Sequence, residues 1–272
     1  MNAENELLIE HRDGVLWLTI NRPDAGNAIP YTVRDALTEQ FFAAHRDLNV
    51  RCVVLTAAGE RHFCTGADLR VRPPAPALPE GAPARPVGSA TQTMRDGFQR
   101  LMTSMMDCEK PIIAALNGTA AGGGMMLALA SDLVIAAENA KLVQVFVRRG
   151  LVPDGGVAYL LPRVVGMHKA KELLFFGDDL TAAEGLSLGL INKVVPPAEL
   201  VETAQAWASR LADGPTKAIG WTKRLLHDAT GADRDRLLLQ EALLVELNTA
   251  TADSQEGVSS FVERRDPVWR GF

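Results

Sequence analysis

Hydrophobic and polar positions alternate along the start of the chain. Residues 7–11 and 14–21 show this period of two on either side of Asp13-Gly14, a pair typical of tight turns, which predicts a β-hairpin. Residues 31–48 then carry apolar side chains at helical spacing, and an apolar run at 52–56 follows at once. A strand, a helix and a strand within about 45 residues predict a parallel sheet with right-handed crossovers.

The alternation of strand and helix patterns continues through the middle of the chain. It predicts helices at 91–108, 122–130 and 155–161 and strands at 112–116 and 132–136. Residues 71–89 hold six of the 15 prolines, and since proline fixes φ and lacks a backbone donor, a mobile surface loop is predicted there. From His168 onward the pattern is wholly helical, with no predicted strand, and it gives helices at 168–176, 181–188, 198–212, 215–227, 233–250 and 253–264.

These elements predict an α/β fold that is built from repeated ββα units. Residues 1–195 contain the repeated strands and helices and are predicted to form the core. Residues 196–272 are predicted to form a C-terminal helical region.

Composition and charge narrow the class of protein. Of the 272 residues, 47% are hydrophobic and 22% charged, so we expect a globular chain whose core needs no disulfide. The cysteines Cys52, Cys64 and Cys108 form no CxxC pair, which argues against a metal site of that type and favours a reducing cytoplasm. The net charge of −5 disfavours binding to nucleic acid. No apolar run approaches the roughly 20 residues of a membrane span, and the acidic N-terminus lacks a secretory pattern.

Two loops of small residues follow predicted strands. Gly66-Ala67-Asp68-Leu69 comes after the strand at 52–56, and Gly122-Gly123-Gly124 comes after the strand at 112–116. Open α/β sheets bind ligands at this end of their strands, and each loop is predicted to start a helix whose first N–H groups lack partners. If Asp68 caps its helix and fixes the Ala67 peptide, two N–H donors can converge as an oxyanion hole. Each loop taken singly also fits tight-turn packing.

Short segments of distinctive sequence are spread from one end of the chain to the other. They are Asn21-Arg22-Pro23 with Asn27-Ala28, Gly66-Ala67-Asp68-Leu69, Asn117-Gly118 with Gly122-Gly123-Gly124, Ser131-Asp132-Leu133, Ala140-Lys141, Gly150-Leu151-Val152-Pro153, and Glu256-Gly257 with Phe261-Val262-Glu263-Arg264-Arg265. In this order they resemble the enoyl-CoA hydratase/isomerase family, the crotonase superfamily, over nearly the whole chain. The resemblance implies a crotonase-like spiral of ββα units, a C-terminal helical region that mediates homo-trimers or hexamers, and an acyl-CoA thioester as substrate.

The resemblance also implies roles for individual residues. The oxyanion donors that bind the thioester carbonyl fall on the backbone N–H groups of Ala67 and Gly123. Contacts to the coenzyme A moiety, the only cofactor expected, fall on Arg22, Ala25, Ala28, Gly66, Asp68, Leu69, Lys223, Phe261 and Arg264. The last two are expected to act from a neighbouring subunit. The cations among them would attract the coenzyme A phosphates, although each alone also fits a solvated surface charge.

The chain departs from the family pattern at two positions. Hydratases of the family use two glutamates, and at those positions this chain has Met126 and Phe146, neither of which can move a proton. Adding water to a double bond needs both a base and an acid, so the resemblance implies a poor hydratase. Met125, Met126 and Phe146 are instead expected to line an apolar acyl pocket.

One carboxylate remains where isomerases of the family face the acyl chain, Asp154 in Pro153-Asp154-Gly155-Gly156. A double-bond shift needs a single proton shuttle, and an apolar pocket would raise the pKa of Asp154 toward useful basicity. The leading hypothesis is therefore an enoyl-CoA isomerase with Asp154 as acid and base. Asp154 also fits the cap of a helix that starts near Gly155. Two other functions stay open: an enoyl-CoA hydratase with an unusual acid, and a CoA-thioester binding protein without catalysis.

Overall fold

A short helix, α1 (Ala3–Glu6), leads into an antiparallel β-hairpin. The computed structural model describes residues 3–71, 73–74, 77–84 and 86–272, and it confirms the predicted hairpin of β1 (Leu7–Arg12) and β2 (Val15–Ile20). The reversal falls on Asp13 and Gly14, which both have positive φ. Helix α2 (Tyr31–Arg46) follows, and strand β3 (Cys52–Ala57) then returns parallel to β2, as predicted.

A repeating ββα unit builds the middle of the molecule. Each unit places one strand in a six-stranded sheet, of order β1-β2-β3-β5-β7-β10, and a three-residue strand in a four-stranded sheet, of order β4-β6-β8-β9. In the large sheet these strands are β3, β5 (Ile112–Leu116) and β7 (Leu133–Ala137). In the small sheet they are β4 (His62–Cys64), β6 (Thr119–Ala121) and β8 (Lys141–Val143). The predicted repeat is confirmed.

Both faces of the large sheet are covered. Alternate side chains of β3 point to opposite sides, so Val53 and Leu55 belong to one buried cluster while Cys52 and Val54 belong to another. The first cluster contains residues of α2, α4, α5 and α6, and the second contains Ala204 and other residues of α8. Burial on both faces explains why β3 is an unbroken apolar run that alternation alone would not detect.

The helices of the units are α3 (Ser89–Met94), α4 (Arg100–Asp107), α5 (Gly123–Ala130) and α6 (Val157–Phe176). A π-helical segment around Gly97, at Arg95–Gln99, joins α3 to α4 within the predicted helix 91–108. The helices predicted at 155–161 and 168–176 form the single helix α6, which is kinked at Gly166, where φ is 77°. Between residues 71 and 88, the described residues contain no helix or strand, as the prolines predict; Arg72, Ala75, Pro76 and Arg85 lie outside them.

The prediction of a wholly helical chain after His168 is wrong. Strand β9 (Asp179–Thr181) joins the small sheet and strand β10 (Lys193–Val195) joins the large one, on either side of α7 (Ala182–Ser187). Strands of three residues are too short to show a period, and these two lie at sheet edges, where they need little apolar sequence.

The C-terminal helices are α8 (Leu200–Ala212), α9 (Thr216–Ala229), α10 (Arg234–Thr249) and α11 (Ala252–Glu263). Helix α8 packs on the large sheet through Leu200, Ala204 and Ala208, so it shares the core of residues 1–195, while the division at 195/196 stays a prediction. Helix α10 buries none of its residues in this chain. None of the helices in the described part of the chain combines the length and the apolar composition that crossing a bilayer requires.

Candidate active site

The loop after β4 exposes an unused backbone donor at Ala67. Ile29 forms a parallel bridge with Ala67, in which the Ile29 nitrogen donates to the Gly66 oxygen at 2.8 Å and the Asp68 nitrogen donates to the Ile29 oxygen at 2.9 Å. In this geometry the bonds come from the two neighbours of Ala67, so its own N–H points away from Ile29. Among the described residues it has no hydrogen-bond partner.

The loop after β6 provides a second free donor at Gly123. Gly123 is the first residue of α5, so its N–H has no acceptor within the helix, and no other acceptor in the described chain replaces it. The preceding Gly122 has a φ of 53° and a ψ of −113°, a backbone conformation that side chains disfavour. The glycine at 122 is therefore required for the turn that starts the helix.

The two loops are in direct contact. A Cβ atom built on Gly66 would lie 3.3 Å from the Gly123 nitrogen, and one built on Gly124 would lie 2.2 Å from the Cys64 oxygen. Only backbone without side chains can approach so closely. The small residues thus bring the Ala67 and Gly123 loops together, as the sequence predicts.

Ala67 and Gly123 both line one cavity, here called the central cavity, and Asp154 lies on its wall. The cavity is lined by Thr65, Gly66, Ala67, Leu69, Phe98, Gly122, Gly123, Val145, Phe146, Arg149, Leu151 and Asp154. Of the predicted pocket residues, Phe146 is in this lining. Met125 and Met126 are not: both are buried in the core cluster, and Met126 lies beneath Gly155. In α5 only the first residue, Gly123, reaches the cavity.

Asp154 is a partly buried carboxyl group with no hydrogen-bond partner in the described chain. Burial raises its pKa above the ordinary range for an aspartate because desolvation penalises the charged form. Helix α6 begins at Val157 after Gly156, and no side chain caps it. The interpretation of Asp154 as a helix cap is therefore wrong.

Asp68 fixes the Ala67 loop, but not in the predicted way. No helix follows it before Ser89 in the part of the chain that is described. Its carboxylate instead accepts the Arg70 backbone N–H at 3.1 Å and pairs with Arg70 and Arg22, each at 2.9 Å. The hydrogen bonds from Arg70 and then Arg22 hold the pKa of the Asp68 carboxyl well below its usual range. A local turn held by two arginines replaces the helix cap.

Arg22 gathers most of the residues predicted to contact coenzyme A. Its guanidinium donates to the Ala28 oxygen, to Asp68 and, at 2.9 Å, to Glu6. The Ala25 nitrogen donates to the Arg22 oxygen at 3.0 Å, which brings Ala25 into the same group. Hydrogen bonds thus join Arg22 to Ala25, Ala28 and Asp68, and Asp68 stands in the same loop as Gly66 and Leu69. Their contacts to coenzyme A remain predictions, and the Arg22 side chain is 11% exposed rather than solvated.

The other three predicted coenzyme A contacts lie elsewhere. The Lys223 ammonium is buried and donates to the Met105 oxygen at 3.0 Å, with Asp132 at 2.9 Å. Lys223 is therefore already neutralised within the chain and is not a free cation. Phe261 is 85% exposed at the end of α11, and Arg264 follows it with a φ of 56°. Neither lines the central cavity, and their role toward a neighbouring subunit stays a prediction.

Comparison with known proteins places this geometry in a family. A family model described as enoyl-CoA hydratase/isomerase matches residues 10–271. The chain belongs to the enoyl-CoA hydratase/isomerase family. It is 38% identical to the 1,2-epoxyphenylacetyl-CoA isomerase of Escherichia coli K12, over 98% of this chain and 99% of that protein. It is 36% identical to the crotonyl-CoA hydratase of Syntrophomonas wolfei, over 97% of each.

Solved structures confirm the crotonase fold. An enoyl-CoA hydratase from Bacillus anthracis aligns with a TM-score of 0.88 at 30% identity, covering 98% of this chain and 100% of that one. A structure from Streptomyces coelicolor aligns with a TM-score of 0.88 at 34% identity, covering 98% of this chain and 94% of that one. The enoyl-CoA hydratase/isomerase relatives are named both as isomerases and as hydratases. The family therefore establishes an acyl-CoA enzyme and leaves its specific reaction to the chemistry of the cavity.

Sequence reasoning missed four residues of the cavity wall. Phe98 comes from the π-helical segment before α4, and Val145 follows β8. Arg149 and Leu151 flank the turn at Gly150. Leu151 stands in a segment that carries the family resemblance, but no spacing rule indicates that Phe98 or Arg149 faces the cavity.

Proposed function

We propose that the protein is an enoyl-CoA isomerase that moves the C=C bond of its substrate with a single carboxylate, Asp154. The observation that carries the proposal is the composition of the central cavity. Asp154 is the one carboxylate among its lining residues, and it shares the cavity with the free N–H groups of Ala67 and Gly123. Phe146 occupies one hydratase glutamate position, and the other, Met126, is withdrawn into the core.

The proposed reaction begins with the thioester carbonyl of a 3-enoyl-CoA between the two N–H donors. The Asp154 carboxylate removes a proton from C2, and the electron pair of that C–H bond moves onto the thioester oxygen as an enolate. The N–H groups of Ala67 and Gly123 hydrogen-bond the oxygen as its charge grows. Asp154 then returns a proton to C4, the electrons shift back, and a 2-enoyl-CoA leaves with no atom gained or lost.

The environment of Asp154 supports this role. Desolvation raises its pKa, which makes the carboxylate a stronger base than a solvated aspartate and its conjugate acid easier to form during turnover. No cation is hydrogen-bonded to it in the described chain, so its basicity is not suppressed. The contrast with Asp68, whose pKa two arginines lower, favours Asp154 as the proton acceptor of the two.

Product mass tests the proposal. The purified protein is incubated separately with a 3-enoyl-CoA and the matching 2-enoyl-CoA, and products are identified by mass and by chromatographic position. Isomerase activity gives a new species of unchanged mass from the 3-enoyl-CoA. A product heavier by one water would instead establish a hydratase, and binding without any product would establish a CoA-thioester binding protein.

A further inference from the structure

The wall of the central cavity carries a positive charge that the proposed proton transfer does not use. Arg149 lies at the end of a short 3-10 turn, Val147–Arg149, immediately before Gly150. The Arg149 nitrogen donates to the Phe146 oxygen at 2.9 Å, and the Leu151 nitrogen donates to the same oxygen at 3.0 Å. The turn therefore fixes Arg149 between two apolar residues of the cavity wall.

The Arg149 guanidinium has no partner within the described chain. Its neighbour Arg148 is not among the cavity's lining residues and pairs with Asp179 at 2.7 Å. No hydrogen bond or ion pair engages the Arg149 side chain among the residues that are described. A guanidinium presents five donors in a rigid fork that matches a carboxylate, so an unpaired one on a cavity wall is able to bind an anion.

The rest of the wall does not neutralise this charge. Leu69, Phe98, Phe146 and Leu151 contribute apolar side chains to the same lining. Asp154 is the other ionisable residue of the lining, but desolvation is the cause of its shifted pKa and no nearby cation lowers it. No ion pair joins Arg149 to Asp154 among the described residues, so Arg149 is a cation without a protein partner on a wall whose side chains are mostly apolar.

We propose that Arg149 determines substrate class by binding a second carboxylate, carried on the acyl group of the thioester. The substrate would then be a dicarboxylic acyl-CoA, with one carbonyl as the thioester at Ala67 and Gly123 and a free carboxylate at Arg149. Arg149 is an exposed residue of the lining, so a carboxylate that reaches it would replace water with a charge-assisted bidentate hydrogen bond. This inference rests on the proposed acyl-CoA function but not on the isomerisation step.

Binding of saturated acyl-CoA thioesters, which cannot react, tests the role of Arg149. Succinyl-, glutaryl- and adipoyl-CoA are compared with butyryl-, pentanoyl- and hexanoyl-CoA, so that each dicarboxylic ligand has a neutral partner of equal chain length. Coenzyme A alone is titrated as well, because its phosphates are the other anion that Arg149 could contact. The proteins are the wild type, Arg149→Leu, Arg149→Lys and the control Arg148→Leu, which removes the adjacent arginine.

We expect the wild type and Arg148→Leu to bind at least one dicarboxylic thioester about tenfold or more tightly than its neutral partner, as suits a charge-assisted bidentate bond. Arg149→Leu should abolish this preference without lowering the affinity for free coenzyme A, and Arg149→Lys should keep part of the preference. A wild type with no preference at any length would overturn the proposal. An Arg149→Leu variant that loses affinity for coenzyme A and for both thioester series equally would also overturn it, because Arg149 would then bind the coenzyme A phosphates.

Together with the product-mass assay on enoyl-CoA substrates, these titrations separate this inference from the proposed isomerase. If the protein isomerises nothing but still shows a preference that depends on Arg149, the inference about Arg149 stands and the proposed isomerase activity is wrong. If the wild type binds neither thioester series, both the inference about Arg149 and the proposed function are wrong.

Discussion

Asp154 lines the central cavity and Asp68 follows Ala67, another residue of its lining, yet their surroundings shift the pKa values of the two aspartates in opposite directions. Burial alone raises the pKa of Asp154, whereas hydrogen bonds from Arg70 and Arg22 lower that of Asp68. A raised carboxyl pKa means that the folded state binds its proton more tightly than the unfolded chain does, so the charged form costs stability at neutral pH. The charged form of Asp154 thus lowers the stability of the fold, and Asp154 is the group that the proposed reaction uses.

The first prediction concerns the stability of Asp154→Asn. Since the folded-state pKa of Asp154 is raised, its destabilising effect is absent below the unfolded pKa and grows as pH rises through the folded pKa. The Asn variant should therefore have a higher free energy of unfolding than the wild type at neutral pH, and the difference should shrink in acid. Urea unfolding at fixed protein concentration measures the free energy of unfolding of each protein at neutral and at acid pH. An Asn variant that is less stable than the wild type at neutral pH would contradict the expectation.

The second prediction isolates the Gly123 donor. Gly123→Pro removes the N–H at the first position of α5, where proline suits a helix. Gly123→Ala is the matched control, because its Cβ meets Phe98 at the same 3.0 Å but its N–H is kept. We expect kcat to fall at least about 10²-fold further in the Pro variant than in the Ala variant. Equal activity in the two folded proteins would show that this N–H does not face the thioester oxygen.

At the scale of elements, the Ala67 loop is held from one side by a parallel bridge and from the other by the arginines around Asp68. The bridge to Ile29 sets the direction of the Ala67 N–H, and the Arg22 guanidinium ties the loop to Ala28. No helix or strand of the described chain contains Ala67, so these few bonds replace the regular structure that usually orients a donor.

The third prediction is the loss of this anchor in Asp68→Asn. The variant leaves Arg22 and Arg70 with a neutral partner in a site where the Asp68 side chain is 1% exposed. The free energy of unfolding should fall by about 1–3 kcal/mol at neutral pH. Because the folded pKa of Asp68 is lowered, this contribution is present above the unfolded pKa and is lost as pH falls, so the gap to wild type should close in acid. The exposed Asp24→Asn is the control, and equal unfolding curves for the two variants would contradict the anchoring role.

The longer elements could be predicted from sequence, while the short ones could not. Helix α2 and strands β3 and β5 show clear periods or apolar runs, and the structure confirms them. The small sheet was not predicted because its strands have three residues each and gain their stability from neighbours distant in sequence. Strand β10 has the same length and adds an edge to the large sheet.

The site shows the same division between local and tertiary signals. Turn chemistry and the family resemblance together indicate Ala67, Gly123 and Asp154, and all three line one cavity. Helical spacing cannot tell which face of α5 meets that cavity, so Met126 was misplaced. Arg149 could not be found because its proposed role depends on its place in the cavity lining and on the absence of a partner among the described residues, which only the folded chain reveals.

At the scale of the whole molecule, the C-terminal helices leave apolar surface exposed in the single chain. Leu239 and Leu243 on α10 are 62% and 57% exposed, and Phe261 on α11 is 85% exposed. The backbone after α11 is nevertheless fixed, since the Asp253 carboxylate accepts the Arg270 and Gly271 N–H groups at 2.6 and 2.8 Å. Exposed apolar patches on ordered helices are typical of protein interfaces. This supports the expected trimer or hexamer, which remains a prediction.

The fourth prediction tests that interface. The double variant Leu239→Glu with Leu243→Glu places two charges one helical turn apart on α10, where neither side chain is buried in the chain itself. Light scattering should show the loss of the oligomer with the helical content of the monomer retained. The control is Leu48→Glu, at a leucine that is 61% exposed away from these helices. An oligomer unchanged by the double variant would contradict the proposed interface.

The activity of Asp154→Asn on a 3-enoyl-CoA tests the single-carboxylate mechanism most directly. Asparagine keeps the size of the side chain and cannot accept the C2 proton. The proposed mechanism gives a kcat lowered by about 10²-fold or more, the range of general acid–base catalysis, with unchanged affinity for a saturated acyl-CoA. A folded Asp154→Asn protein that keeps more than about a tenth of wild-type turnover would contradict the mechanism, because another group would then be moving the proton.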